Sequence, residues 1–257
     1  DREVEQLHFG GGTPTFLTSL EIDRLVEKLG QHFKLSNRDD REYSIELDPR
    51  TITTDTLKDL RKVGFNRCSL GVQDFDPLVQ EAVNRIQSVP DTLRLIREAR
   101  EFGFNSVSVD LIYGLPKQNI PGFSKTLDTV LAARPNRFAV YAYAHLPQIF
   151  KPQRQIKVED LATPETRLEL LGLTIEKLSA AGYVYIGMDH FALPGDEPIE
   201  DDIRVGYKTG GIRIERPLSL PVREDPPAPP LRPRPPVGLI GTALLLAAAL
   251  VYWLITR

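Results

Sequence analysis

The chain has 257 residues, enough to bury a substantial core as one large α/β domain or as one domain with appendages. Its 32 Lys+Arg against 35 Asp+Glu leave a formal net charge of −3, which excludes the clustered basic surface of a nucleic-acid binder. A single cysteine excludes an intramolecular disulfide framework, and equally a cysteine-ligated metal or cluster site built from these residues alone.

The sequence opens at Asp1 straight into a strand-like run with no initiator Met, so the true N-terminus is expected upstream. Short apolar runs at 4–9, 43–47, 65–70, 106–112 and 137–143 read as strands from their length and their β-branched or aromatic content. Amphipathic stretches separate them. Ser19 is expected to N-cap a helix whose Ile22, Leu25, Val26, Leu29 and Phe33 share one face. Thr54 caps the next, which stops at Gly64, and Gly103 closes the helix carrying Leu93, Ile96, Ala99 and Phe102. Thr163-Pro164 opens another, with Leu168, Leu171, Ile175 and Leu178 inward and Gly182 at its end. Strand–helix repetition with short connections predicts a parallel sheet with helices outside. No Gly-rich dinucleotide fingerprint is present, so the pattern favours a barrel or partial barrel over a Rossmann sheet.

The pattern breaks after residue 197. Residues 198–236 read as a linker, and the Pro-rich stretch 216–236 predicts an extended, semi-rigid tether. Residues 237–255 then run 19 positions without a charge. A helix of that length spans roughly 28 Å, so 237–256 is expected to be a transmembrane helix, with Tyr252 and Trp253 near one interface. A buried helix of a soluble protein is the competing expectation.

In parallel α/β barrels function collects on the loops that leave the C-terminal strand ends, and those ends carry the unusual residues here. The first gives His8-Phe9-Gly10-Gly11-Gly12-Thr13-Pro14-Thr15. Three consecutive glycines cost conformational entropy, so the backbone there is expected to approach something closely; its exposed N–H groups can meet a carboxylate. The second gives Ile45-Glu46-Leu47-Asp48-Pro49, with Glu46 aimed into the barrel mouth toward a cationic ligand or an arginine. The third gives Gly71-Val72-Gln73-Asp74-Phe75, whose Gln73 amide suits a ribose or an adenine edge; Cys68 before it reads as a small buried hydrophobe. Arg85 can clamp a carboxylate, although a solvated arginine is the plainer expectation. Asp110, inside the apolar run Val107-Ser108-Val109-Asp110-Leu111, is the sharpest anomaly, because an uncompensated carboxylate in a sheet shifts its pKa. His145 and His190 can act as acid or base, or be hydrogen-bonded core histidines. Spacing alone reaches a barrel with a polar, ligand-binding mouth.

Taken in order, these segments resemble a known family. Val83-Asn84-Arg85, Asp110-Leu111-Ile112-Tyr113-Gly114-Leu115-Pro116, Tyr143-Ala144-His145-Leu146-Pro147 and Gly187-Met188-Asp189-His190-Phe191-Ala192 join the strand-end motifs above. Together they look like the motif set of oxygen-independent coproporphyrinogen III oxidases (coproporphyrinogen dehydrogenases) of the radical S-adenosylmethionine superfamily, over about residues 4–194. The resemblance implies a partial (β/α)6-type barrel over residues 1–197, holding a [4Fe–4S] cluster and two S-adenosylmethionine molecules. By matching position, Gly11 and Glu46 would serve the cluster-bound molecule, and Gly12, Thr13, Gln73, Arg85, Asp110 and Ala144 the second. The implied reaction is decarboxylation of coproporphyrinogen III propionates to vinyl groups by a 5′-deoxyadenosyl radical, giving protoporphyrinogen IX in haem biosynthesis. It implies an electron donor as partner, no nucleic acid, a monomer and a cytoplasmic place, with membrane contact through 237–256 as the addition specific to this chain.

Three departures qualify the resemblance. The family's CxxxCxxC, which supplies the cluster thiolates, lies off the start of this sequence together with the first barrel strand. The region beyond Glu197 does not resemble the family's. A partial or chimeric gene product that generates no radical by itself is therefore expected. Two other readings stand beside it: a haem chaperone of the same superfamily, and a non-catalytic membrane-tethered fragment.

Overall fold

A computed structural model of the chain describes residues 2–196. The expected linker at 198–236 and membrane span at 237–256 lie outside the described residues; among the described residues no helix is long and apolar enough to cross a membrane.

Strands β1 (Glu3–Val4) and β3 (Lys34–Leu35) form a small parallel pair beside the main sheet. The main sheet has seven strands in the order β2-β4-β5-β6-β7-β9-β8. Its first five are β2 (Gln6–Phe9), β4 (Glu42–Leu47), β5 (Arg67–Gln73), β6 (Ser106–Tyr113) and β7 (Arg137–Ala142), all parallel to one another. The hairpin β8 (Val184–Gly187) and β9 (His190–Ala192) closes the order, with β9 antiparallel to β7. The order leaves β2 and β8 as edges of a curled half-barrel.

Helices α1 (Ser19–His32), α2 (Thr54–Val63), α3 (Pro77–Ala82), α4 (Val89–Glu101), α5 (Ile120–Ala133) and α6 (Pro164–Ala180) connect the strands. Each starts on a side-chain cap, from Thr18, Thr53, Asp76, Ser88, Asn119 and Thr163 in turn. Each cap satisfies orphan N–H groups of the first turn. Two expected caps shift by one residue. Thr18, not Ser19, forms a capping box with Glu21, and Thr53, not Thr54, forms one with Thr56. In both cases the first of two adjacent hydroxyl residues has the extended backbone that a cap requires. The inward face of α6 is also displaced: Leu170, Thr174 and Leu178 are buried, whereas Leu168 is 71% exposed. Phe33, expected on the inner face of α1, lies beyond the helix end and is 55% exposed.

The two faces of the sheet differ, and that difference makes the site. Tyr43, Ile45 and Leu47 of β4, Leu70 and Val72 of β5, and Val107, Val109 and Leu111 of β6 are buried in one core. By the two-residue period of a strand, Ser44, Glu46, Ser69, Ser108 and Asp110 point the other way. Parallel sheets are ordinarily apolar on both faces. Here the second face is polar and lines a cleft that runs from His8 on β2 to His190 on β9.

Candidate functional site

The loop after β2 turns on Gly11 and Gly12, at φ +77° and +63°, and a Cβ added to either would meet nothing within 4 Å. Glycine is used there for its left-handed backbone and leaves main chain open to the space in front. Gly10 is glycine for a different reason: a Cβ would run into the His8 ring and the Glu46 carboxylate. Glu46 Oε2 accepts the Gly11 N–H at 3.0 Å, and His8 Nε2 lies 3.5 Å from Oε1. His8 is itself oriented by a 2.8 Å contact between Nδ1 and Ser44 Oγ.

Across the strand ends a second cluster forms around Arg85. Its Nη2 donates to the Gly71 carbonyl at 2.9 Å and lies 3.3 Å from Asp48 Oδ1. Asp48 is gripped in turn by Arg50, with Nη2 at 2.6 Å and Nε at 3.0 Å. Burial opposes the charge of Asp48, but the Arg50 hydrogen bonds and the neighbouring Arg85 outweigh it and hold the carboxyl below its ordinary range. Arg85 shows the reverse balance: burial lowers its pKa, and the Asp48 charge only partly offsets that. A Cβ at Gly71 would sit 3.0 Å from both Arg85 Nη2 and Gln73 Nε2, so glycine leaves room for the two side chains to lie over that strand.

Gln73 adopts φ +65° at a register shift in β5. A non-glycine residue there stores of order 1–3 kcal/mol of strain. Gln73 Oε1 and Arg85 Nε are both buried with no hydrogen-bond partner among the described residues. Buried polar atoms are seldom left so, and both belong to side chains that line two neighbouring cavities.

Asp110 sits opposite Gly71 in the β5–β6 register. Burial pushes its carboxyl up to about 6; the 2.9 Å hydrogen bond from Ser69 Oγ opposes the shift and the Glu46 charge adds to it. The anomaly read in the sequence is therefore real, but its setting differs. Asp110 belongs to the polar face of the sheet, not to the apolar interior.

One cavity is lined by Gly12, Thr13, Glu46, Gln73, Arg85 and Asp110, six of the eight residues singled out above. Gly11 joins through its bond to Glu46. Ala144 stands apart on the rim, its carbonyl taken by Gln153 Nε2 at 3.0 Å, while Tyr143 beside it lines the neighbouring, more apolar cavity with Gln73 and Arg85. His145 and His190 are both only half-buried, so neither is a core histidine. Asp48, His8 and Ser69 hold the lining residues in place without having been singled out as site residues. The adjacent Arg50 was the available signal for Asp48. The cavity lining carries three carboxylates, Glu46, Asp48 and Asp110, and one guanidinium, Arg85, with Asp48 paired to Arg85.

Cys68 is buried, and loss of solvent pushes its thiol up to about 12. A thiol held neutral in this way is a poor metal ligand. Among the described residues no group of three or more His, Cys, Asp or Glu is placed to hold a metal ion.

Residues 1–130 match the family described as the radical SAM superfamily. The chain is 52% identical over 197 residues to oxygen-independent coproporphyrinogen III oxidase of Pseudomonas aeruginosa, covering 77% of this chain and 43% of that protein. It is 51% identical over 196 residues to the Escherichia coli protein of the same name, covering 76% and 42%. The solved structure of coproporphyrinogen III oxidase from Escherichia coli, described as a radical SAM enzyme, superposes with a TM-score of 0.73 at 51% identity, over 76% of this chain and 45% of that one. The chain thus spans less than half the length of the curated relatives it matches.

Proposed function

The chain belongs to the radical SAM superfamily, and from that membership we propose that its strand-end cavity binds S-adenosylmethionine in the oxygen-independent decarboxylation of coproporphyrinogen III. The carrying observation is the convergence of Gly12, Thr13, Glu46, Gln73, Arg85 and Asp110 on one cavity, with Gln73 Oε1 and Arg85 Nε buried and unpartnered beside it. S-adenosylmethionine carries a sulfonium, an ammonium and a carboxylate, and so suits a cavity lined by the carboxylates of Glu46, Asp48 and Asp110 and the guanidinium of Arg85.

Each residue then has a task. Arg85, braced by Asp48 and the Gly71 carbonyl, supplies the guanidinium for the ligand carboxylate. Gln73 offers its amide to the nucleoside. Glu46 and Asp110 each offer a carboxylate to a cationic group, and the open main chain of Gly11 and Gly12 allows close approach. In this scheme Gly11 and Glu46 serve one molecule, and Gly12, Thr13, Gln73, Arg85, Asp110 and the rim residue Ala144 a second. When bound, S-adenosylmethionine supplies a carbon–sulfur bond whose reductive cleavage starts hydrogen abstraction from a propionate. The protein's share is positioning and exclusion of water.

A [4Fe–4S] cluster does not fit the residues present, because the sole cysteine is buried and its thiol is held neutral. Its thiolates would have to come from residues other than these, and a one-electron donor is the partner that the reaction class requires. One chain carries every ligand-facing residue named, so a monomer suffices.

The test is a calorimetric titration with S-adenosylmethionine and with its neutral thioether, S-adenosylhomocysteine. Tenfold or tighter binding of the sulfonium supports the assignment; equal affinities would remove the role given to Glu46 and Asp110.

A further inference from the structure

Asp74 follows Gln73 directly and is 2% exposed, yet every polar atom it has is tied. Its N–H donates to the Val72 carbonyl at 2.8 Å, which closes a three-residue turn around Gln73 at φ +65°. Turns of that hand are rare and strained, and they persist only where the surroundings over-determine them. Here the surroundings do. Asp74 Oδ1 accepts from Thr126 Oγ1 at 2.5 Å and from the Asp76 N–H at 2.9 Å; Oδ2 accepts from Gln118 Nε2 at 2.6 Å; and the Asp74 carbonyl accepts from Gln80 Nε2 at 3.0 Å.

The same network fixes the neighbouring elements. Gln118 Oε1 accepts the N–H groups of Gly114 at 2.5 Å and Leu115 at 3.3 Å, and Gln118 Nε2 also donates to the Ile112 carbonyl at 2.9 Å. The Gln80 carbonyl accepts the Arg85 N–H at 2.8 Å. The polarity of this chain follows from Asp74 being acceptor-only. A carboxylate obliges Gln118 to present its NH2, which leaves the Gln118 carbonyl for the loop after β6. An amide at position 74 would set two donors face to face, and Gln118 would turn its own donors onto the Gly114 and Leu115 N–H groups.

We propose that Asp74 is a positioning residue: it holds Gln73 in its strained turn and, through its carboxylate and Gln118, holds the β6 loop in register with the cavity. The inference rests on the reading of that cavity as an S-adenosylmethionine site.

The experiment titrates S-adenosylmethionine into the full chain as wild type, Asp74→Asn and Gln118→Met, with Thr174→Val as a control that loses a buried hydroxyl of α6 bonded to the Leu170 carbonyl. Hydrogen exchange of the Gly114 and Leu115 amides is followed in the same samples. Asp74→Asn is expected to raise Kd tenfold or more and to deprotect those two amides selectively, while the control loses stability at unchanged Kd. Should Asp74→Asn not fold, Gln118→Met carries the test, because it cuts the same link from the other side. Binding within twofold of wild type, or deprotection spread evenly over the fold, overturns the proposal. Absence of binding by the wild type at millimolar ligand overturns the cavity reading itself and the proposal with it, and that outcome is separate from a wild type that binds beside a variant that binds equally well.

Discussion

The Gly11 N–H donates to Glu46 Oε2 at 3.0 Å, joining the loop after β2 to the end of β4. Gly10 makes this possible, since its missing side chain leaves the space that His8 and Glu46 occupy. Gly10→Ala must push one of them aside. S-adenosylmethionine binding is expected to weaken about tenfold, roughly 1.4 kcal/mol. The melting temperature should barely move, because the loop is exposed. Calorimetry beside a thermal melt reads both.

Asp110 makes stability depend on pH in an unusual direction. Its carboxyl is raised from 3.8 to about 6 in the folded chain, so the native state holds the proton more tightly than the unfolded one. The contribution is fully present below about pH 4 and is lost as pH rises through about 6, with a total of about 3 kcal/mol. Asp110→Asn should therefore unfold at higher urea than wild type at pH 7.5 and at similar urea near pH 4. Parallel urea curves at both pH values would show that burial does not govern this carboxylate.

Asp48 shows the opposite sign. Its pKa is depressed by Arg50 and Arg85 against the effect of burial, so its contribution is present above the ordinary carboxylate range and fades as pH falls through the lowered value. Asp48→Asn leaves Arg85 buried without its counter-charge, at a cost of about 2–4 kcal/mol. A shift of the urea midpoint at neutral pH measures it, and ligand affinity should fall in step because Arg85 loses its brace.

Cys68 should behave as an inert core side chain. The folded chain is expected to resist iodoacetamide at pH 8, with rapid alkylation only in denaturant, and to retain no iron or sulfide in anaerobic reconstitution. Mass spectrometry reads the first and metal analysis the second. Stoichiometric cluster uptake would contradict the assignment of Cys68 as a non-ligand.

The parallel strands and the polar strand ends were legible in the sequence because their signals are local, whereas the ligand set came only from the resemblance. Alternating residues mark a two-faced strand, and Asp110 and Glu46 stand out on the wrong side of an apolar run. Three features were not legible. Helix α5 begins Ile120-Pro121-Gly122, residues that read as a loop, yet Asn119 caps it and Pro121 fits its first turn. The β8–β9 hairpin turns on Met188 and Asp189, both at positive φ, where no Asn-Gly or Asp-Gly pair announces a turn. The link between Asp74 and Gln118 spans 44 positions, and no periodicity carries information over that distance. Ala144 does not line that cavity, and its carbonyl accepts from Gln153 Nε2.

The most direct test is a crystal structure of this chain grown with S-adenosylmethionine. A nucleoside is expected between the Gly11–Gly12 turn and Arg85, within hydrogen-bond distance of the Gln73 and Arg85 side chains, its sulfonium nearer Asp110 than Arg85. A ligand seated elsewhere, or an empty cavity at saturating concentration with Gln73 and Arg85 unmoved, would contradict it.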